Sequence, residues 1–486
     1  MYIKALEVQN YEKEIYFSVR LLELMDDGQL YKKSELAEAL GLDARSVQRL
    51  LEEMSKRYRR FTETELPLFE KKGNNYRLMI AKQTMEQNQF LVDLIRHSLA
   101  CRLLDLVING EARTIKELSE KLFRSESTIR RKLKELQKEF APLELTIQQG
   151  QVLFCAPEPT VRMYLSVYYW RLFRGKVWPF SLLQHELVKE ISQGIQGFFQ
   201  IALNPIKEQR LEYLVAAHLL REAQSYPLER NSDSQNTLSN DPLFNDFYRQ
   251  LKPIMPAYFH SQVSLGNLFL NLLTREEYYQ VPTMAKRIRH LLAKPPFSVI
   301  AELEAMYRLL EKKINTPSTW QSFQALHAEN YLISGHLYHR LFPVIRYNIN
   351  GKAFWTMVTQ QQPKLVAFVS EILADQGGSE SILFGRYLSV LRRLPELTDQ
   401  PVLKIFLQTD LPEFEELILK EDLRRFLAND FQVVFVETLI NSDLCLTTSL
   451  LYEDEEVPTL TITQELRMAD YFALLRLLQG FGGKSF

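Results

Sequence analysis

The 486-residue chain is poor in cysteine: Cys101, Cys155 and Cys445 are the only three. They are too few and too scattered for a disulfide framework. None lies in a CxxC or Cys/His cluster, so no structural zinc site, and no metal or cofactor, is expected. Cys101 and Cys155 stand among apolar residues and read as small core side chains. No run approaches the ~20 apolar residues of a membrane span. The opening MYIKALEVQNYEKEIYF carries charges throughout, unlike a secretory signal. A P-loop, a Gly-rich dinucleotide fingerprint, HExxH and GxSxG are all missing. These absences point to a non-enzymatic protein of the reducing cytoplasm with no membrane partner.

The chain is 46% hydrophobic and 24% charged, the composition of a globular protein able to bury a sizeable core. Its length allows roughly three to five domains. The net charge of −1 hides an asymmetry. Residues 1–156 hold 26 Lys+Arg against 24 Asp+Glu, whereas residues 397–486 hold 7 against 16. The acidic end is unsuited to a phosphate backbone; the first segment is suited if its cations share a face.

A repeat organises the first third. Leu36, Leu40, Val47, Leu51, Met54 and Tyr58 align with Leu118, Leu122, Ile129, Leu133, Leu136 and Phe140 at a constant offset of 82. A fixed offset over core-type positions marks a repeated structural unit. In the first copy, residues 14–25 have helical spacing, Ser34 can cap a helix over 35–40, Gly41 supplies a tight turn and Asp43 caps ARSVQRLLEEMSKRY. LPLFEKKGNNYRLMI then reads as a β-hairpin, the wing of a winged helix. In the second copy a leading helix over 90–108 precedes a Thr114/Glu117 capping box. Ser125 caps ESTIRRKLKELQKEF, and LELTIQQGQVLF is the second hairpin.

Residues 160–395 are helical and aromatic-rich, with a polar stretch at 225–242 that reads as a long mobile loop and a break at Pro295-Pro296. The last ninety residues alternate strands (VLKIFLQTD, FQVVFVET, LCLTTSLL, TLTITQEL) with amphipathic helices, which indicates a mainly parallel sheet.

The second helix of a helix-turn-helix enters the major groove by its first turns. That presents Arg45, Ser46, Gln48 and Arg49 in the first unit, and Ser127, Thr128, Arg130, Arg131 and Lys134 in the second. Arg pairs bidentately with guanine and Gln with adenine. Lys56, with Arg57, Arg59 and Arg60, forms a basic helix end suited to phosphates, and Lys71 and Lys72 at the wing tip reach backbone or minor groove. Promoter double-stranded DNA is the expected partner. The competing reading is that these charges only solvate helix faces.

This layout resembles the Mga/AtxA family of PRD-containing transcriptional (virulence) regulators. The resemblance implies a multidomain, mainly α protein with five parts. These are winged helix-turn-helix domains at 1–82 and 83–158, all-α bundles similar to phosphotransferase-system regulation domains (PRDs) at 159–282 and 283–396, and an α/β EIIB-like domain at 397–486. SGHLYHRLFPVIRYNIN (334–350) resembles the PRD helix with its His-Leu pair and Asn-bearing turn, which implies a phosphorylatable His336. LEYLVAAHLLREA (211–223) resembles the matching helix of the first bundle and implies His218, with Ala217 where an acidic residue is usual. A phosphoryl group adds about two negative charges, and Arg340 is the nearby candidate to receive them. A buried, hydrogen-bonded histidine is the alternative at both positions, and the stronger one at His218.

The resemblance also implies a cytoplasmic homodimer or higher oligomer that answers to a phosphotransferase-system phosphodonor protein. A working EIIB carries a cysteine in the loop after its first strand. Here that loop is Gln408-Thr409-Asp410-Leu411-Pro412, so phosphoryl transfer is not expected and subunit pairing is. The alternative function is a protein-interaction scaffold of the phosphotransferase system with degenerate winged helices.

Overall fold

The computed structural model describes residues 12–80, 84–141, 144–148, 150–228, 233–314, 328–343, 362–392, 402–428, 431–449 and 457–479. Its contacts separate two compact units, Met1–Tyr347 with Glu380–Arg386, and Asn348–Ser379 with Tyr387–Phe486. The turn residues 344–350 of the PRD-like motif lie outside the described residues.

The first unit opens with α1 (Lys13–Leu24), β1 (Tyr31–Lys32), α2 (Lys33–Leu40), α3 (Ala44–Thr62), β2 (Phe69–Lys72) and β3 (Asn75–Leu78). The antiparallel sheet runs β1-β3-β2, with Tyr31 opposite Tyr76 and Phe69 opposite Leu78. Gly41 closes α2 at φ 64°, a left-handed turn that glycine adopts without steric cost. The Asp43 carboxylate then accepts the Arg45 and Ser46 N–H groups and starts α3. Ser34 is not the cap of α2. That helix starts at Lys33, directly after β1, and the Glu35 carboxylate accepts the Lys32 N–H at 2.8 Å. A strand that feeds straight into a helix leaves no room for the cap expected at Ser34.

The copy consists of α4 (Met85–Arg96), α5 (Leu99–Ile108), α6 (Ile115–Leu122), α7 (Glu126–Glu139), β4 (Leu145–Gln148) and β5 (Gln151–Phe154). The helix expected over 90–108 is two helices, because Ser98 accepts the Cys101 N–H and caps a new start. Thr114 and Glu117 form the capping box of α6, and Ser125 caps α7. The strand equivalent to β1 shrinks to one antiparallel bridge, Thr114 to Gln151. All twelve repeat positions are buried except half-buried Leu40. Each apolar side chain so buried contributes roughly 1.5–3 kcal/mol.

A bundle follows, built from α8 (Glu158–Phe173), α9 (His185–Phe199), α10 (Pro205–Ala223), α11 (Asp233–Ser239), α12 (Pro242–Leu251) and α13 (Gln262–Leu273). The polar stretch 225–242 contains α11 and the start of α12, so it is not one long loop. Gln235 and Leu238 are buried, and that buried face orders a sequence whose composition reads as coil. Phe199, Phe244, Phe247 and Phe269 pack ring on ring in the core. Then come α14 (Pro282–Ala293), α15 (Val299–Ile314) and α16 (Ala328–Leu341), with the Pro295-Pro296 break between the first two. A Cβ on Gly335 would lie 2.3 Å from the Arg386 side chain, so that position requires glycine for the close approach.

The second unit holds α17 (Pro363–Ile372), the second half of α18 (Ile382–Leu391) and an α/β part. The latter has β6 (Val402–Gln408), α19 (Glu413–Leu427), β7 (Gln432–Val436), β8 (Leu444–Thr447), β9 (Thr459–Thr461) and α20 (Met468–Gln479). The sheet order is β7-β6-β8-β9 and every pairing is parallel. Leu419, Leu423 and Leu427 of α19 and Leu474 and Leu478 of α20 cover Leu403, Ile405, Leu444 and Leu446. Cys101 and Cys445 are buried, but Cys155 is exposed, because it follows the last paired residue of the second hairpin.

Asp105 on α5 is half-buried, and its shielded Oδ1 has no hydrogen-bond partner. Burial pushes its pKa up to about 6, against the opposing pull of Tyr169 and Arg96. In the unfolded chain the group ionises near 4. Stability therefore falls as pH rises from about 4 to about 6, and the cost, ~3 kcal/mol, persists above. Asp105→Asn should leave urea-unfolding free energy nearly unchanged at pH 4 and raise it by about 1–3 kcal/mol at pH 7.5. A constant difference across that range would show that the carboxyl does not titrate in the fold.

Candidate nucleic-acid interface

Each recognition helix is aimed by its cap and held by an aromatic side chain at its far end. Asp43 is held below the usual carboxylate range by the Ser46 N–H and hydroxyl, which makes it a charged anchor at the start of α3. At the other end Tyr58 lies edge-on to Phe90 of α4 at 5.2 Å and bonds Glu86. In the second copy of the repeat Phe140, the offset partner of Tyr58, meets Tyr164 and Tyr168 of α8 at 5.4 and 5.6 Å. Such ring pairs add about 0.5–1.5 kcal/mol beyond area burial.

The expected contact residues divide into free and engaged groups. Arg45 and Arg49 on α3 are exposed and neither side chain bonds another protein group. Ser46 is tied to Asp43 through its hydroxyl at 2.7 Å. Gln48 receives the Tyr76 hydroxyl from the wing at 2.8 Å and donates to Glu52 at 2.7 Å. Both ends of that amide are thus occupied before any base arrives. On α7, Arg131 and Lys134 are exposed and unpaired. Arg130 lies 3.5 Å from Glu126, and Ser127 and Thr128 share hydrogen bonds with the Ser125 cap.

The basic end of α3 is less open than its composition implies. Arg57 turns away from solvent, to the Asp93 carboxylate at 3.4 Å and the Asp93 and Leu94 carbonyls at 3.0 and 3.3 Å. It thereby closes the C-terminus of α4. Lys56 and Arg60 border a cleft of about 470 Å³ shared with Glu14, Glu53, Asp93 and His97, so the field there is mixed. At the first wing tip Lys71 is exposed and lies 5.9 Å from the Tyr76 ring, while Lys72 lies 3.4 Å from Glu70. The second wing has Gln148 and Gln151 at the corresponding ends of its strands.

Sequence reasoning missed Phe123. It is the offset partner of Gly41, adopts φ 53° at the same turn and is 85% exposed. A phenylalanine in this left-handed conformation, with its ring in water, is unusual on both counts. The missing signal was the constant offset itself, which puts a non-glycine residue at a position that asks for glycine.

The two histidines lie elsewhere in the first unit. His218 on α10 is fully buried; Nδ1 donates to the Leu214 carbonyl at 2.9 Å and Nε2 accepts from Asn271 Nδ2 at 3.0 Å. Burial, then the nearby Arg162 charge, pushes its pKa down to about 3, so the ring is neutral. His336 on α16 is also buried, with Nδ1 3.4 Å from Glu302 Oε2. Arg340 bonds that same carboxylate and the Pro296 carbonyl. Among the described residues no group of His, Cys, Asp and Glu could hold a metal ion, and no helix is long and apolar enough to cross a membrane.

Residues 83–169 match the Mga helix-turn-helix domain, the stretch that contains α4 to α7 and the second hairpin. The chain is also 25% identical over 162 residues to the capsule synthesis positive regulator AcpB of Bacillus anthracis. That alignment spans a third of this chain and a third of that protein. The second winged helix-turn-helix is thus similar to the Mga type, and the chain resembles a capsule regulator over a third of its length.

Proposed function

We propose that the protein is a DNA-binding transcriptional regulator and not an enzyme. One observation carries this reading. Arg49 and Arg131 occupy the same register of the two recognition helices, both exposed and both without a protein partner. Gln48, Ser46, Arg130, Ser127 and Thr128 already have partners within the fold, so they orient the helices or are recruited by exchange of those bonds. Lys71 and Lys134 add phosphate contacts. Two winged helices per chain favour recognition of a long or curved duplex.

Arg49→Ala and Arg131→Ala should each weaken promoter binding by about tenfold or more where a bidentate base contact is lost. Where a phosphate contact is lost, the salt slope should fall by about one. Binding isotherms at several salt concentrations measure both. Equal affinity and slope in wild type and the double variant would reject these helices as readers.

The division into winged helices at 1–82 and 83–158, PRD-like bundles at 159–282 and 283–396 and an EIIB-like domain at 397–486 belongs to the same proposal. Control acts through His336. A phosphoryl group there would repel Glu302 at 3.4 Å and offer Arg340 a stronger acceptor. His218 has both ring nitrogens bonded within the core, so a phosphodonor reaches it only if α10 opens. His336→Asp and His336→Ala should shift promoter activity in opposite directions in a reporter assay. Identical outputs would remove the switch.

Oligomerisation is assigned to the last domain. In the loop after β6, Asp410 accepts from Thr448 and Gln464, each at 3.0 Å, where an EIIB would carry its nucleophilic cysteine. The outer faces of α19 and α20 expose Phe414, Leu417, Ile418, Met468 and Phe472, and the helices touch through Phe426 and Tyr471 at 4.4 Å. An apolar face of this kind suits a second copy of the chain. Phe414→Glu combined with Phe472→Glu should lower the mass seen by sedimentation, as should deletion of 397–486. Unchanged mass in both would exclude this surface.

A further inference from the structure

The turn of the second helix-turn-helix carries a residue that neither its backbone nor its surroundings favour. Phe123 closes α6 at φ 53° and is 85% exposed, more than any other aromatic residue among the described residues. The left-handed conformation brings Cβ too close to the backbone, so a phenylalanine is held there against a steric cost. Among the described residues its ring pairs with no other ring and no cation. The turn itself is fixed. The Phe123 and Arg124 N–H groups donate to the Glu120 and Ser119 carbonyls at 3.3 and 3.1 Å, and the Ser119 hydroxyl donates to the Arg124 carbonyl at 2.5 Å.

The place of the ring in the fold points to what covers it. Phe123 stands two residues before Ser125, the cap of α7, and residues 123–127 form an unbroken exposed run into the first turn of that helix. The first turns of a recognition helix meet base edges in the major groove, so the turn just ahead of them lies at the groove's edge. Arg124, beside the ring, and Arg131 and Lys134, farther along α7, are exposed and supply charge for a phosphate backbone. Glu126, in the same stretch, is answered by Arg130 at 3.5 Å. The first copy differs at two points. Gly41 fills its turn, and a Cβ there would meet nothing within 4 Å, so the same place is open and lacks only the ring. Its wing strand β2 ends on Lys71 and Lys72, whereas β4 ends on Ile147 and Gln148. The second copy thus lacks the cationic wing tip and holds an aromatic residue at its turn instead.

We propose that Phe123 reads a thymine: its ring packs on the C5-methyl group of that base at the edge of the major groove, ahead of the base contacts of α7. Among the four bases only thymine offers an apolar group in that groove. This contact rests on the DNA-binding reading and adds a base preference to it. The ring leaves water only in the complex, which accounts for an exposed phenylalanine in the free protein.

The test uses the full-length chain and a duplex that the wild type enriches from a random-sequence pool. Deoxyuridine replaces deoxythymidine at one position at a time, which removes a single methyl group. At one position or two the replacement should weaken wild-type binding about fourfold, and there Phe123→Gly should be indifferent to it. On the unmodified duplex Phe123→Gly should bind about fourfold or more weakly than wild type, while Phe123→Leu keeps most of the affinity and the response to the methyl group. Without DNA, Phe123→Gly should melt no lower than wild type, because glycine takes φ 53° without steric cost. Equal affinity in wild type and Phe123→Gly, a Phe123→Gly defect of the same size with and without every methyl group, or a lower melting temperature for that variant would overturn the thymine contact. If Arg49→Ala/Arg131→Ala loses binding while Phe123→Gly does not, the DNA-binding reading stands and only the thymine contact falls. If the wild type enriches no sequence, and binds the starting pool no better than Arg49→Ala/Arg131→Ala, both fall.

Discussion

Each recognition helix is held by one aromatic side chain at its C-terminal end, and the rest of the first unit is arranged around those two anchors. Tyr58 meets Phe90 and Phe140 meets Tyr164 and Tyr168. The rings fix where α3 and α7 stop relative to the helix that follows, while Asp43 and Ser125 fix where they start. With both ends set, the exposed edge between them is rigid, and Arg49 and Arg131 project from equivalent places. A contact surface prepared in this way loses little conformational freedom on binding.

The anchors also tie the second winged helix to the bundle. Phe140 packs on α8, and α8 carries Arg162, whose partners include Glu222 and the Tyr226 carbonyl near the end of α10. From that same end Gln224 donates to the Ile108 carbonyl at 2.9 Å, just before the strand-like bridge at Thr114. Arg113 lies 5.7 Å from the Tyr226 ring, and its carbonyl accepts from Val152 in the wing at 2.7 Å. A shift of α10 would therefore bear on the wing and the capped start of α6 through direct contacts. Such contiguity is the physical substrate that any coupling between bundle and DNA reader would use.

Charge is spent unevenly in the bundle. The Glu158, Arg162, Arg221 and Glu222 group is nearly balanced and fully bonded apart from Arg162 Nη1. Removing one member would strand a buried charge, a change that typically costs about 3–5 kcal/mol. His218, one turn before Arg221, bonds a carbonyl and an amide and not that group, and the Arg162 charge adds to burial in keeping its ring neutral. His336 has the opposite surroundings, a carboxylate at 3.4 Å that already binds Arg340.

The repeated unit was legible in the sequence because its signals are local. Helical spacing, Gly41, the Asp43, Thr114 and Ser125 caps and the two hairpins each follow from residues within a few positions of one another. The parallel sheet at the end was legible for the same reason, since apolar strands there alternate with amphipathic helices. Tertiary structure decided what depends on distant partners. Arg57 looks like a phosphate contact until Asp93 is placed beside it, and Gln48 looks like a base reader until Tyr76 reaches it from the wing. The order of α11 comes from burial of Gln235 and Leu238. Composition and spacing determine which helices and strands can form. Which charges remain free is set only when the folded chain brings their competitors within bonding distance.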